Sequence, residues 1–373
     1  MLKRAVENTG VEGVIHGLKY KIAHNSTNIE IVTKVTTFFK NDKHKDFGPT
    51  FAQEKLGIDM SIETLRTIMT TSGLWKPKKR RGPQIHREWR ERMSTRGELV
   101  QFDGCYHDWF ENKGEECLLA AIDDATSDII QAVFEDSEGV HAVFRFFRSY
   151  IITYGRPVAV YLDKFSTYKI NHKSAVDNPE FTTQFQRAMK ELDIRVICAN
   201  SPEAKGRVER LFNTLQDRMV KEMRLIDIKK RDDANQFICE NYIPDHNQRF
   251  SVQARNKSDA HRPLTDQLHN RLHSIFSIQS KRTVNNDYTI QFKNEWFQLE
   301  QVQDTPVYKR DQITIEERLD GTIHIRLKDV YLKYHKLPER PKKVSVPVVA
   351  LTTKVPTWRP PENHPWRKPF EKI

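Results

Sequence analysis

Apolar positions along the chain follow three regimes in turn. From Asn28 to Lys40, Ile29, Val32, Val35 and Phe39 recur at helical spacing, and a second helix opens at Pro49 and carries Phe51, Ala52 and Leu56 before Gly57 stops it. A third begins at Ser61, a favourable N-cap, with Ile62, Leu65, Ile68 and Met69 on one face. Helix, glycine-containing turn, helix is the helix-turn-helix pattern, and Glu63, Thr64, Arg66 and Thr67 would be its exposed positions. The centre then changes character. Strands are predicted at Leu99–Asp103, Cys117–Asp123, Ile129–Phe134, Val158–Asp163 and Ile194–Cys198, with helices over 139–154 and 179–192 and a long one from Ser201-Pro202 to Met223. Three strands, then strands alternating with helices, describe a mixed sheet flanked by helices. After Pro263 short alternating strands dominate (288–292, 295–299, 312–318 and 322–327), with turns at Asn285-Asn286-Asp287 and Asp320-Gly321, which predicts a small β-barrel.

These shifts divide the 373 residues into a helix-turn-helix region (1–75), a linker (76–96), a central domain (97–250), the β-barrel (251–335) and a tail (336–373). Charge is uneven across that division. The chain has 61 Lys and Arg against 50 Asp and Glu, a formal +11. Lys76–Arg96 alone carries +7 and Lys336–Ile373 +6, so the rest is nearly neutral. Basic segments flanking near-neutral domains suit a polyanion gripped at several points, nucleic acid above all. The tail also holds eight of the seventeen prolines and is expected to be extended. The longest apolar run, Cys117–Ile122, is strand length, so no membrane span is predicted. Cys105, Cys117, Cys198 and Cys239 are scattered, which speaks against a disulfide framework or cysteine zinc site and for a reducing, cytoplasmic setting. Neither an H-E-x-x-H zinc pattern nor a phosphate-binding G-x-x-x-x-G-K-[ST] loop is present.

Three carboxylates stand out. Asp103 and Asp163 each end a predicted strand, and Glu209 lies in the long helix beside the apolar stripe of Val208, Leu211, Phe212, Leu215 and Met219. If the two strands are neighbours, both Asp residues emerge together and Glu209 can close over them. Converging carboxylates repel unless cations are present, and hard oxygen ligands suit Mg²⁺. A pair of such ions can activate water or a 3′-hydroxyl and stabilise the leaving oxygen of a phosphodiester. Asp is common in turns, so strand-terminal Asp residues also arise without any such role. The nearest competitors, Asp123-Asp124 and Asp108, read as turn or supporting residues, and His107, four residues past Asp103, reads as structural.

Several separated segments carry a family resemblance. Gly97–Gly104, His107–Glu111, Ile122–Ser127, Tyr154–Pro157, Asp163-Lys164 and Ser201–Arg210, with Phe47–Ala52, Glu317–Gly321 and Asn363–Arg367, together resemble the ISNCY-type insertion-sequence transposases. Those belong to the integrase-catalytic-core group of DDE recombinases. The resemblance runs from about Asp46 to the tail. It implies an α/β ribonuclease H-like catalytic core between the N-terminal helix-turn-helix and the C-terminal β-barrel, with Asp103, Asp163 and Glu209 as both catalytic and metal-holding residues. It further implies dependence on Mg²⁺ (two ions, Mn²⁺ as substitute) and binding of double-stranded DNA at terminal inverted repeats and target sites. A homo-oligomer assembled on DNA, in the cytoplasm and associated with the nucleoid, follows from the need to cut two ends. Candidate DNA contacts are Arg66, Lys78, Lys79, Arg80, Arg81, Lys205 and Arg207. The interval before Glu209 is longer than in the best-known members, and the surplus is read as an insertion at Ser166–Asn178. Members usually begin with a further helix-turn-helix. Gly10–Lys21 resembles the linker that follows it, so an N-terminally shortened copy with weakened end recognition is expected. Two other readings of the same residues are a catalytically inactive DNA-binding regulator and a ribonuclease H-like nuclease without strand transfer.

Overall fold

The computed structural model describes residues 6–7, 27–77, 90–163, 179–199, 206–339 and 360–367. The chain forms two compact units: one runs through Gln279 and takes in Glu316–Ile323, and the other holds Ser280–Ile315 and the chain from His324 onward.

The first unit opens with three helices, Ile29–Phe39 (α1), Pro49–Leu56 (α2) and Ile62–Thr71 (α3). Each start has a local cause. The Asn28 side chain accepts the Glu30 N–H, Pro49 takes the first position of α2, and Ser61 Oγ accepts the Thr64 N–H at 3.1 Å. Gly57 ends α2 at φ +62°, a conformation glycine adopts without strain. Val35, Phe39, Phe47, Phe51, Leu65 and Met69 close a core of their own.

A five-stranded mixed sheet follows. Its strands are Leu99–His107 (β1), Glu116–Asp123 (β2), Ile129–Glu135 (β3), Ala159–Asp163 (β4) and Arg195–Ala199 (β5), ordered β3-β2-β1-β4-β5. The first three pair antiparallel, while β4 runs parallel to both β1 and β5. An antiparallel meander continued by parallel strands with helical crossovers is the ribonuclease H-like order expected for the core. Helices Val140–Tyr154 (α4) and Pro179–Glu191 (α5) cover one face, where Phe102, Phe144, Phe147, Phe185 and Met189 meet. The other face is covered by Gly206–Leu225 (α6), whose Val208, Leu211, Phe212, Leu215 and Met219 pack on Leu118, Ala120 and Ile122.

Two features depart from the periodicity. β1 does not end at Asp103 but continues to His107, pairing with β2 over its whole later half. A helical rod over Arg231–Phe250 was not anticipated, because a π-turn at Ile238–Tyr242 and Pro244 interrupt its 3.6-residue pattern. This rod closes the exposed edge of the sheet. The Asn235 side chain bonds the N–H and C=O of Phe134, and the Asn247 side chain those of Ile129, supplying partners that edge strand β3 lacks.

Besides a short parallel pair, Thr95–Arg96 with Asn256–Asp259, the later strands are Ile278–Thr283 (β6), Thr289–Phe292 (β7), Glu295–Leu299 (β8), Gln312–Glu317 (β9), Ile323–Leu327 (β10), Val330–Tyr331 (β11) and Tyr334–Leu337 (β12). The Asp320-Gly321 turn forms as expected, with Gly321 at φ +80°. The expected β-barrel is corrected: the strands make a three-stranded sheet, β12-β8-β7, and a four-stranded sheet, β11-β10-β9-β6, and no closed barrel forms among the described residues. The cause lies in β11, which pairs with β10 at two positions only before the chain enters β12 in the other sheet. No helix among the described residues is long and apolar enough to cross a membrane.

One consequence concerns acid stability. Burial against the sheet pushes the His246 imidazole down from 6.5 to about 4, so the folded chain keeps it neutral. The unfolded chain takes up that proton below about pH 6.5, so stability present above this pH is lost as pH falls towards 4, by up to about 3 kcal/mol. Thermal unfolding followed between pH 7 and 4.5 should show this fall in Tm, and His246→Phe should flatten it. An unchanged slope in the variant would refute the assignment.

Candidate active site

Alternation along β1 decides what faces α6. Val100 and Phe102 enter the α4 layer, so Gln101, Asp103 and Cys105 take the opposite face. Two bonds lay α6 along that face. The Val208 N–H donates to Gln101 Oε1 at 3.3 Å, and Gln216 Nε2 lies 3.2 Å from Cys105 Sγ. Asp103, 8% exposed, stands between these two contacts. Glu209 is exposed, and its spacing puts it on the helical strip that also carries Asn213 and Gln216.

Asp163 is placed through its backbone. Leu99, Val100 and Gln101 pair with Ala159, Val160 and Tyr161, and this parallel pairing ends two residues before Asp103 and Asp163. The last pairing of β4 is Asp163 with Ala199 on β5. The two Asp residues therefore lie on neighbouring strands, and Glu209 lies on the helix packed against β1. Among the described residues no three His, Cys, Asp or Glu side chains are gathered as a metal site; the Asp163 side chain is outside that set.

The neighbouring acids have other duties. Asp108 accepts the N–H groups of Asn112 at 2.7 Å and Lys113 at 3.4 Å, as a turn residue does. Asp123 is fully buried and closes the turn after β2: Oδ1 accepts from the Ala125 N–H, the Thr126 N–H and the Thr126 hydroxyl, while Oδ2 accepts the Gly97 N–H. Burial pushes the Asp123 carboxyl above its usual range, against these bonds. His107 packs edge-on to the Trp109 ring at the end of β1.

The candidate DNA contacts scatter. Arg66 projects from α3 and pairs with Glu63 one turn earlier. Lys78, Lys79, Arg80, Arg81 and Lys205 lie outside the described residues, as do the Ser166–Asn178 insertion and Gly10–Lys21. Arg207 occupies a different environment from the one expected. Its side chain is 10% exposed and bonds Asp124 at 2.7 Å. Burial pushes its pKa down, and the Asp124 charge opposes this. Asp124 is the supporting acid that the sequence allows for; Gln101 is a partner it does not single out, although an amide inside the apolar run Leu99–Phe102 is a signal that something polar must meet it.

Comparison with known proteins yields two curated relatives. Over 298 residues the chain is 38% identical to the putative transposase y4bF of Sinorhizobium fredii, covering 79% of this chain and 64% of that protein. Over 333 residues it is 26% identical to the transposase for insertion sequence IS1202 of Streptococcus pneumoniae, covering 84% of this chain and 66% of that one. The chain therefore spans just under two thirds of each. No family model matches. Among solved structures, the HTLV-2 integrase catalytic core domain in complex with magnesium superposes with a TM-score of 0.30 at 16% identity, covering 39% of this chain and 88% of that one. A chain of the simian T-cell lymphotropic virus intasome in complex with the PP2A regulatory subunit B56 gamma reaches 0.35 at 14%, covering 83% and 100%. Scores this low carry no weight for the fold, which rests on the sheet order. The resemblance to insertion-sequence transposases is borne out by the curated relatives, both of which carry the name transposase.

Proposed function

We propose that the chain is a DNA transposase of the DDE recombinase group, cutting and joining insertion-sequence ends with Asp103, Asp163 and Glu209 as its acidic residues. The observation that carries this reading is the parallel pairing of β1 with β4, which makes neighbours of the strands bearing Asp103 and Asp163, with the helix bearing Glu209 packed on β1. Transposases at 38% and 26% identity support it from sequence.

The donor set fits a hard divalent cation: oxygen ligands only, one of them a carboxylate shielded from water on a strand whose α6 face is otherwise Gln101 and Cys105. Asp103, Asp163 and Glu209 would hold Mg²⁺, which when bound supplies activation of water or a 3′-hydroxyl and stabilisation of the leaving oxygen. The chain's own work is positional. β1 and β4 fix two carboxylates on rigid strands, and α6 presents the third from its first turn. The three-helix region, read as a helix-turn-helix, offers Arg66, Glu63, Thr64 and Thr67 to a DNA groove. Lys78, Lys79, Arg80, Arg81 and Lys205 supply phosphate contacts. DNA ends are the substrate, target DNA the acceptor, and a second copy the partner needed for the second end. The regions 1–75, 76–96, 97–250, 251–335 and 336–373 are the corresponding functional divisions.

Two outcomes test this. With Mg²⁺ and DNA bearing the flanking inverted repeats, wild-type protein should cleave and join strands, while Asp103→Asn, Asp163→Asn and Glu209→Gln should each lose roughly a thousandfold or more in rate. Binding without cleavage by the wild type would point to a regulator, and cleavage without joined products to a nuclease. Mg²⁺ should also raise the Tm of the wild type but not of Asp103→Asn.

Arg66→Ala should weaken binding to the specific repeat by about 1–3 kcal/mol while leaving non-specific binding nearly unchanged. Equal loss on both DNAs in a gel-shift titration would remove α3 from sequence reading.

A further inference from the structure

Asp124 follows the turn-closing Asp123 directly, is fully buried, and takes no part in closing that turn. Every side-chain partner it has lies elsewhere. Oδ1 accepts from Gln101 Nε2 at 2.7 Å, from Arg207 Nη1 at 2.7 Å and from an Arg90 guanidinium N–H, and Oδ2 accepts the Met93 N–H at 2.9 Å. Gln101 then uses its remaining oxygen on the Val208 N–H at 3.3 Å. That donor is in the first turn of α6, where backbone N–H groups have no partner within the helix. One carboxylate therefore joins three pieces of chain: β1 two residues before Asp103, α6 one residue before Glu209, and the end of the basic linker at Arg90–Met93.

We infer that Asp124 is a positioning residue for the strand-cleaving reaction: it fixes the first turn of α6 against β1, sets Glu209 relative to Asp103, and anchors the DNA-contacting linker to the same point. This rests on the function proposed above. Arg207 belongs to this frame, not to the DNA surface. Removing the Asp124 charge leaves the largely buried Arg207 and the half-buried Arg90 beside each other with no counter-charge and frees the Gln101 amide to turn, which releases the Val208 N–H. Asp124→Asn is close in shape and keeps an acceptor for Gln101, so the fold survives while the anchoring weakens.

The experiment compares wild type, Asp124→Asn, Arg207→Gln and Arg207→Lys, using the full chain, Mg²⁺ and end-bearing DNA. For Asp124→Asn and Arg207→Gln the single-turnover cleavage rate should fall about 10- to 100-fold. The Mg²⁺ concentration giving half the maximal rate should rise by about tenfold, while DNA affinity without metal stays within about twofold. Arg207→Lys, which keeps a cation for Asp124, should recover most of the rate. Amide hydrogen exchange over residues 206–212, on metal-free and DNA-free protein, should quicken at least about tenfold in both damaged variants, with β2 unchanged. A rate loss with no change in Mg²⁺ requirement would overturn the inference, as would unchanged exchange at the start of α6. If wild-type protein shows no Mg²⁺-dependent cleavage, the proposed function fails instead, and the exchange measurement still decides whether Asp124 holds α6.

Discussion

The parallel pairing of β1 with β4 is the constraint on which the rest of the molecule depends. Strand side chains alternate, so the register that seats Val100 and Phe102 among the phenylalanines of α4 also turns Gln101, Asp103 and Cys105 towards α6. A slip of one residue would drive Asp103 into that aromatic layer, where an ionised carboxylate costs several kcal/mol. Hydrophobic packing on one face therefore fixes the acidic residues on the other. No polar interaction within the site is needed to choose the register.

Helix α6 extends this placement across the first unit. Its first turn is tied to β1 through Gln101, and its later turns hold the N-terminal helices. Arg218 forms a two-bond pair with Glu54, both at 2.8 Å, Lys55 meets Glu222 at 2.7 Å, and Arg224 bridges Asp46 and Glu111. Burial alone would raise the Glu54 carboxyl, but Arg218 and Arg249 hold it below the usual range, and Arg224 does the same for Asp46. Twenty residues at about 1.5 Å each make a beam of roughly 30 Å. The span from α2 to β1 is then a property of one helix and its ion pairs, not of a flexible connection.

Much of this was legible in advance, for identifiable reasons. The strands of the sheet and the α6 stripe are long, strongly patterned and locally consistent, so period alone places them. Asp103 was placed on the right strand and the wrong part of it, because the run His107, Tyr106, Cys105 is only half-buried and carries no apolar alternation. The rod over 231–250 escaped notice because a π-turn shifts its phase. The barrel failed at β11, where two residues pair and sequence offers no sign of how soon a strand will leave its sheet. The Asp124 partner of Arg207 is not legible for a different reason: position beside Glu209 is readable, but whether a guanidinium meets a buried Asp is a tertiary fact.

The frame also bears on whether the acids are a relic. Gln101 and Cys105 make the contacts that hold β1 to α6, and the flanking Val100 and Phe102 fill the core. Neither contact uses the Asp103 carboxylate. A neutral side chain such as Asn or Ser at 103 would fit the same strand position and would avoid the cost of sheltering a charge from water. Asp124 is the reverse case, an acid whose removal would leave the largely buried Arg207 without its counter-charge. The proposed reaction would give the charge at 103 a use, whereas hydrogen bonds within the fold already account for the charge at 124.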